Sequence, residues 1–221
     1  MSEDKHQHWL HKEKNKNRLI FFCDAIFAIA ITILILQIDV PEIIYTDNLG
    51  TVIQDLWPRL ISFVISFFVI SRFWITHLNL YNYVKVLDIR IVVINLFFMG
   101  CIVFLPFATD FYGAHSANKY VLAFYVLTIV VTSFTSYMMW NYALRHRDLL
   151  YENADSKALR RRAWHGLMVP AEFLIALGII FLFPSLIEWY WLFFLGISAL
   201  IITTNHLIER YENKESRKIS H

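Results

Sequence analysis

Six long apolar blocks are the feature of this 221-residue sequence that most limits its fold. The blocks cover approximately residues 19–38, 58–80, 90–109, 120–143, 165–184 and 187–207. A helix needs roughly 20 mostly apolar residues to cross about 30 Å of hydrocarbon, and each block approaches that length. Only 17% of the residues are charged, which is less than a soluble domain usually carries. We therefore predict an all-α integral membrane protein with six transmembrane helices.

The positions of lysine and arginine predict how the helices are oriented. These residues are concentrated before the first block, after the second and fourth blocks, and after the last one. Such an excess is typical of the cytoplasmic side. We therefore expect both termini in the cytoplasm, with polar tails over 1–17 and 209–221 and a membrane domain over 18–208. The first tail lacks an apolar core followed by a cleavage site, so we expect no signal peptide.

The longest connection between the blocks is basic over 145–162. Basic segments beside a membrane helix are attracted to anionic lipids of the cytoplasmic leaflet. We expect this segment to anchor the chain there, and a specific lipid or regulatory site is the alternative. The outer connections are short, which leaves no room for a receptor ectodomain or an extracellular enzyme.

A carboxylate lies inside the first apolar block. Asp24 is about 9 Å along the helix from Arg18, and Trp74 and His77 fall at the same level of the second block, near its inner end. Both side chains have N–H groups that suit a carboxylate acceptor, and Arg72 is a competing partner. We interpret the group as a clasp between helices. A proton relay through Asp24 and His77 is the alternative.

One face of the first block is apolar apart from a threonine. At about 100° per residue, Ile29, Thr32 and Leu36 fall within about 60° of one another. Asp24 is about a third of a turn away from this stripe. Taken alone, such a stripe usually indicates helix packing. If it faces a pore instead, the carboxylate faces a neighbouring helix.

Enzyme and metal chemistry have little support in the sequence. Cys23 and Cys101 lie at different predicted depths, so we expect neither a disulfide nor a zinc site. The blocks lack hydrolase and metalloprotease motifs. His165, Glu172 and His206 lie apart from one another near the predicted membrane ends, where we expect interfacial residues. We expect no enzymatic activity, no cofactor and no nucleic-acid partner.

The residues of the first two blocks resemble a family signature, Arg-x-x-x-Phe-Ser-Asp followed by small and apolar residues, with Trp-x-x-His in the second helix. The matching positions are Arg18, Phe22, Cys23, Asp24, Trp74 and His77. The family is the transmembrane protein 175 potassium channels, in their prokaryotic form with a single six-helix repeat. Cys23 stands where the signature has serine. The resemblance implies a multi-pass protein of the prokaryotic inner (plasma) membrane.

The resemblance also implies how such a chain conducts ions. It implies a homotetramer with four first helices around a pore for monovalent cations, mainly K⁺, in contact with membrane lipids. It implies an apolar constriction at Ile29 and Leu36, with Thr32 or Ile33 as the middle ring. In agreement, the sequence has no Thr-Val-Gly-Tyr-Gly filter loop.

Two further groups of residues follow from the resemblance. The inner polar network that holds the first helix comprises Arg18, Phe22, Asp24, Trp74 and His77. Acidic residues, Asp39 and Glu42, lie after the first block and are expected to concentrate cations at an outer vestibule. A proton-coupled secondary transporter that uses Asp24 and His77 is the alternative function, although the sequence has no inverted repeat.

Overall fold

The computed structural model of the chain describes residues 3–38, 49–152, 156–165 and 167–189. Its α-helices are α1 (Glu3–Leu36), α2 (Leu49–Tyr83), α3 (Ile89–Ala114), α4 (Lys119–Arg145), α5 (Ser156–His165) and α6 (Met168–Leu182). Short 3-10 helices cover Arg147–Leu149 and Pro184–Trp189. The described residues contain one isolated β-bridge, between Val84 and Leu150, and no other strand pairing. The predicted all-α class is confirmed.

Within the described ranges, four helices contain segments that are long and apolar enough to cross a membrane. The segments are Lys14–Leu36, Val52–Tyr83, Ile89–Ala114 and Lys119–Arg145. They coincide with the first four predicted blocks, because the length and hydropathy of a span are properties of the local sequence. The chain is a multi-pass membrane protein.

The starts of the first two helices differ from the predicted ones. Helix α1 begins at Glu3, so the described part of the predicted polar tail continues directly into the membrane span. Helix α2 begins at Leu49, and Pro58 lies inside it rather than at its start. Membrane helices tolerate proline where neighbouring groups satisfy the freed backbone. One turn later, Ser62 Oγ donates to the carbonyl of Pro58 at 2.8 Å, a bond within α2 itself.

The predicted fifth span, 165–184, corresponds to α6 and shares only His165 with α5. Helix α6 has 15 residues, which is about 22 Å and too short to cross the hydrocarbon alone. Ring-centroid distances place α5 and α6 in antiparallel order along α4: Tyr137–Trp164 6.4 Å, Tyr125–Phe173 6.3 Å and Tyr120–Phe181 6.1 Å. Together the two helices therefore follow the length of α4. The predicted sixth span, 187–207, lies almost entirely outside the described residues.

Helices α1 to α4 pack around one apolar core. Phe98 of α3 contacts Phe27 of α1 and Phe73 of α2, with ring centroids 6.1 and 6.0 Å apart. A buried set of hydroxyls joins α2, α3 and α4, since Thr109 donates to Ser66 at 2.7 Å and Ser66 bonds Tyr125 at 2.8 Å. Such bonds hold membrane helices together where the hydrophobic effect does not.

The short connections fix one end of this bundle, which we call the basic end. It comprises the start of the α1 span, the end of α2, the start of α3 and the end of α4. Asp88 caps α3 by accepting the Ile91 N–H at 2.8 Å. The Lys85 N–H donates to Leu149 O at 2.7 Å, and Tyr151 N–H donates to Tyr83 O at 3.1 Å. These bonds tie the segment after α4 to the α2–α3 connection.

Candidate functional site: the first helix and its polar anchors

Helix α1 has two stripes on nearly opposite faces. The stripe that packs into the core consists of Cys23, Phe27, Ala30 and Leu34, which are all buried. The residues on the other side are exposed on the surface of the subunit, and Ile29 is 58% and Leu36 78% exposed. Phe22, Thr32 and Ile33 are exposed on the same side. The predicted stripe is therefore a surface of the subunit and not part of its core.

Two neighbouring residues test the predicted rotation of α1. Ile31, which the helical wheel turns away from the stripe, is partly buried and packs against the core. Asp24 is also partly buried and lies to one side of the exposed face. Both positions agree with the rotation that the sequence predicts.

The hydroxyl group of Thr32 is bonded within its own helix. Its Oγ1 donates to the carbonyls of Ala28 and Ile29, each at 2.9 Å. A hydroxyl has one proton and two acceptor lone pairs. Because the proton is directed to the backbone, the exposed oxygen is left as an acceptor, which is the form that interacts with a cation.

Asp24 has one of its two predicted partners. Trp74 Nε1 donates to Asp24 Oδ1 at 3.0 Å, which joins α1 to α2. Both residues are partly accessible, so this bond lies at the edge of the exposed face of α1. Arg72, the predicted competitor, is exposed, and no bond to Asp24 is present among the described residues.

His77 bonds a residue that the sequence did not suggest. Its Nε2 lies 2.9 Å from Asn95 Oδ1, and Asn95 Nδ2 donates to Cys23 Sγ at 3.1 Å. The side chains of Cys23, His77 and Asn95 are all buried. Their hydrogen bonds join α1, α2 and α3. The expectation that His77 would donate to Asp24 is therefore wrong. Cys23 is an acceptor and not simply a packing residue.

Asn95 has a signal in the sequence that is visible in retrospect. It is a side-chain amide within the apolar run "RIVVINLFFMG" of the third block. A polar side chain at membrane depth is costly unless it has a partner.

Aromatic rings pack around His77. The centroid of its imidazole ring lies 4.7 Å from that of Tyr81 and 5.6 Å from that of Phe27. Their packing fixes the ring on the side of α3.

Arg18 and Phe22 lie apart from both of these bonded groups. They line an open cavity of about 570 Å³ at the basic end, between the start of the α1 span and the α2–α3 connection. The other lining residues are Asn15, Leu19, Leu87, Asp88, Ile89 and Val92. The predicted inner network is thus divided into an Asp24–Trp74 pair, a Cys23–Asn95–His77 chain and this cavity.

Asp88, at the wall of that cavity, accepts a short hydrogen bond from the Tyr142 hydroxyl. Partial burial by itself raises the pKa of Asp88, but the hydrogen bonds from Tyr142 and the Ile91 N–H, with the charges of His146 and Arg90, lower that pKa below its usual value. Asp88 is therefore held as a carboxylate that fastens α3 to α4.

The remaining predicted residues have separate outcomes. Glu172 is buried in α6, and its predicted position near a membrane end stays a prediction. Asp39, Glu42 and His206 lie outside the described residues, as does the side chain of His165. Cys23 and Cys101 are free cysteines, as expected.

Comparison with known proteins connects these observations. The family model described as "Endosomal/lysosomal potassium channel TMEM175" matches residues 18–106, which contain the exposed stripe, both polar anchors and Asn95. Residues 18–106 of the chain thus match the TMEM175 family model. The matched residues run from the α1 span through α2 and most of α3.

Relatives of the chain include bacterial potassium channels and vertebrate TMEM175 proton channels. A potassium channel of Streptomyces collinus is 29% identical over 147 residues, which are 65% of this chain and 71% of that protein. A potassium channel of Chamaesiphon minutus is 26% identical over 176 residues, 77% of this chain and 87% of the relative. The human endosomal/lysosomal proton channel TMEM175 is 23% identical over 85% of this chain, which spans only 36% of that protein.

Solved TMEM175 structures have the same fold. The crystal structure of the lysosomal potassium-selective channel TMEM175 homolog from Chamaesiphon minutus matches with a TM-score of 0.72 at 22% identity, and covers 87% of this chain and 99% of that one. A variant of the potassium channel MtTMEM175, crystallised with a nanobody fusion protein, matches with a TM-score of 0.57 at 16% identity, and covers 87% of this chain and 93% of that one.

Proposed function

We propose that this chain is a potassium-selective or weakly selective cation channel in which α1 of four subunits lines the pore. The observation that carries the proposal is the exposed stripe of α1, with Ile29 58% and Leu36 78% exposed opposite a fully buried stripe. The match of residues 18–106 to the TMEM175 family model and the potassium-channel names of the bacterial relatives support the same proposal.

Four copies are proposed because one helix cannot enclose a pore. A homotetramer places four equivalent α1 stripes around a central axis, following the symmetry that closed homo-oligomers adopt. It also covers the apolar side chains that a single subunit exposes on α1. The six-span chain with cytoplasmic termini, in the inner membrane of a prokaryotic cell, remains part of this proposal.

The exposed stripe is suited to form an apolar constriction. Ile29 and Leu36 are seven residues apart, or about 10 Å along the helix. Four copies form two stacked apolar rings near the middle of the bilayer. Narrow apolar rings gate by dewetting, and a wider separation of the helices admits water and ions.

The middle ring supplies the polar contact of the constriction, and two residues are candidates for it. Thr32 offers a hydroxyl oxygen whose proton is already bonded to the Ala28 and Ile29 carbonyls. Four such oxygens replace part of the hydration shell of a dehydrating cation. Ile33, 40% exposed on the same side, is the alternative and supplies only apolar surface.

Two bonded groups hold α1 so that its stripe faces the axis. The Asp24–Trp74 bond fixes one edge of the helix against α2, and the Cys23–Asn95–His77 chain fixes its buried face against α2 and α3. Separate partners for Asp24 and His77 give the proton-coupled transporter no support. Asp39 and Glu42, which follow α1, are proposed to attract cations at the outer mouth.

Recordings from purified protein in planar bilayers test this proposal. Reversal potentials in asymmetric K⁺ and Na⁺ should show cation selectivity with a preference for K⁺. The changes Ile29→Asn and Leu36→Asn should keep the rings wet, raise the conductance and reduce K⁺/Na⁺ discrimination. The matched control is Ile31→Asn, which places the same amide on the partly buried side of α1.

Equal effects of Ile29→Asn and Ile31→Asn on current and reversal potential, in intact oligomers, would show that the assigned pore face is wrong. Flux that saturates with substrate and requires a proton gradient would replace the channel by a carrier.

A further inference from the structure

Helix α4 is longer than the membrane core, and α5 lies beside its protruding end. The 27 residues of α4 are about 40 Å long, against about 30 Å of hydrocarbon. The α4 turns nearest Arg145 therefore extend toward the lipid headgroups at the basic end. Trp164 of α5 packs against Tyr137 of α4, with ring centroids 6.4 Å apart. Tyr137 lies about 12 Å from the end of α4, so α5 runs through the boundary between hydrocarbon and headgroups.

Helix α5 is amphipathic at this level. Leu159 and Ala163, four residues apart, are buried in the bundle. Arg160, Arg161 and Trp164 are exposed. Tryptophan is enriched where hydrocarbon meets headgroups, and both arginines lie about 5–6 Å farther along the helix toward the basic end. Their guanidinium groups therefore fall in the layer that contains lipid phosphates.

We infer that α5 binds the phosphate group of an anionic phospholipid through Arg160 and Arg161. Guanidinium groups pair with phosphate through parallel hydrogen bonds and are more weakly hydrated than an ammonium group. From Arg145, the last residue of α4, to the end of α5, exposed cations outnumber exposed acids among the described side chains: Arg145, Arg147, Arg160 and Arg161 against Asp148 and Glu152. The occupant is a lipid because the site lies at the bilayer boundary, where Trp164, 58% exposed, offers an apolar surface for acyl chains beside the two arginines.

Lipid binding to the full-length protein tests this inference without measuring ion flux, so its failure leaves the channel proposal unaffected. The protein in detergent is titrated with phosphatidylglycerol or with phosphatidylcholine of the same acyl chains, and bound lipids are counted by native mass spectrometry. We expect wild type to prefer phosphatidylglycerol. The double variant R160Q/R161Q should lose about fivefold in affinity for each arginine removed.

The matched control is R145Q/R147Q, which removes the same charge from exposed residues near the end of α4. The logarithm of its loss in affinity for phosphatidylglycerol should be less than half of that for R160Q/R161Q. The variant R160K/R161K keeps the charge and should keep the preference for phosphatidylglycerol, which shows that the helix is folded. Equal losses from the two glutamine variants, equal binding of both lipids by wild type, or displacement of the lipid by millimolar inorganic phosphate would each overturn the inference.

Discussion

Replacing Asn95 by alanine tests the buried bonds that hold α1, α2 and α3 together. Asn95 is fully buried and bonds both His77 Nε2, at 2.9 Å, and Cys23 Sγ, at 3.1 Å. The substitution breaks both bonds and leaves two buried polar atoms without their partner. We expect the variant to lose stability, and to lose pore geometry only as a consequence.

The expected magnitude follows from the burial of the group and from its membrane setting. A buried polar group left without its partner costs about 1–3 kcal/mol. Hydrogen bonds between membrane helices contribute less on average, about 0.6 and at most about 1.7 kcal/mol, because the unfolded chain in a membrane also finds partners. We therefore expect Asn95→Ala to cost about 1–3 kcal/mol, of which a coupling of about 0.6–1.7 kcal/mol belongs to the His77–Asn95 bond.

A double-mutant cycle of Asn95→Ala and His77→Ala isolates that coupling. Purified variants are unfolded in mixed micelles by increasing sodium dodecyl sulfate, and loss of helix is followed by far-UV circular dichroism. Thr76→Ala is the control on the same helix. The Thr76 hydroxyl bonds only the carbonyl of Arg72 in its own helix, at 2.9 Å, so we expect a change within about 0.5 kcal/mol.

The reasoning would be refuted by a His77–Asn95 coupling energy that is indistinguishable from zero while both single variants remain folded. It would also be refuted if Thr76→Ala cost as much as Asn95→Ala. Cys23→Ser adds a further check, since a hydroxyl accepts a stronger hydrogen bond than a thiol. That variant should be at least as stable as the wild type.

Three other predictions concern the assembly, the pore and the basic end. The mass of the detergent-solubilised, active protein should equal four chains, and a monomer or dimer that conducts would contradict the pore geometry. Thr32→Ala should lower K⁺/Na⁺ selectivity with little gain in current, and Thr32→Ser should keep the selectivity of the wild type. Equal reversal potentials for the alanine and serine variants would show that Thr32 does not form the middle ring. Because the pKa of Asp88 is lowered in the folded protein, the ionised carboxylate should stabilise the fold fully above the unfolded pKa of about 3.9, and this stabilisation should be lost as pH falls through the folded pKa. Asp88→Asn should remove this pH dependence from the melting temperature. A melting temperature that varies with pH as in the wild type would contradict the prediction.

Local sequence is sufficient to predict the spans and the stripe on α1. The free energy of placing a segment in a bilayer is close to a sum over its residues, so apolar length alone located α1 to α4. The rotation of α1 follows from the helical period, and the buried Cys23 and Phe27 with the exposed Ile29 agree with it. The Asp24–Trp74 pair was also accessible to such reasoning, since both depths are counted from the same membrane surface.

Other features depend on how several helices pack at once. His77 lies at the predicted depth, but its bond to Asn95 depends on the rotation of α2 and α3, which hydropathy does not specify. Pro58 is an ordinary boundary signal in a sequence, but α2 begins at Leu49 and the proline lies inside it. The fifth apolar block corresponds to α6, but α5, which precedes that block, also packs along α4. Leu159 and Ala163 of α5 are buried in the bundle although the sequence around them is charged. The sequence by itself determined which segments enter the membrane, because the free energy of insertion is additive along the chain. The tertiary structure decided which polar groups bond to one another, because such bonds require three helices to be fixed relative to one another.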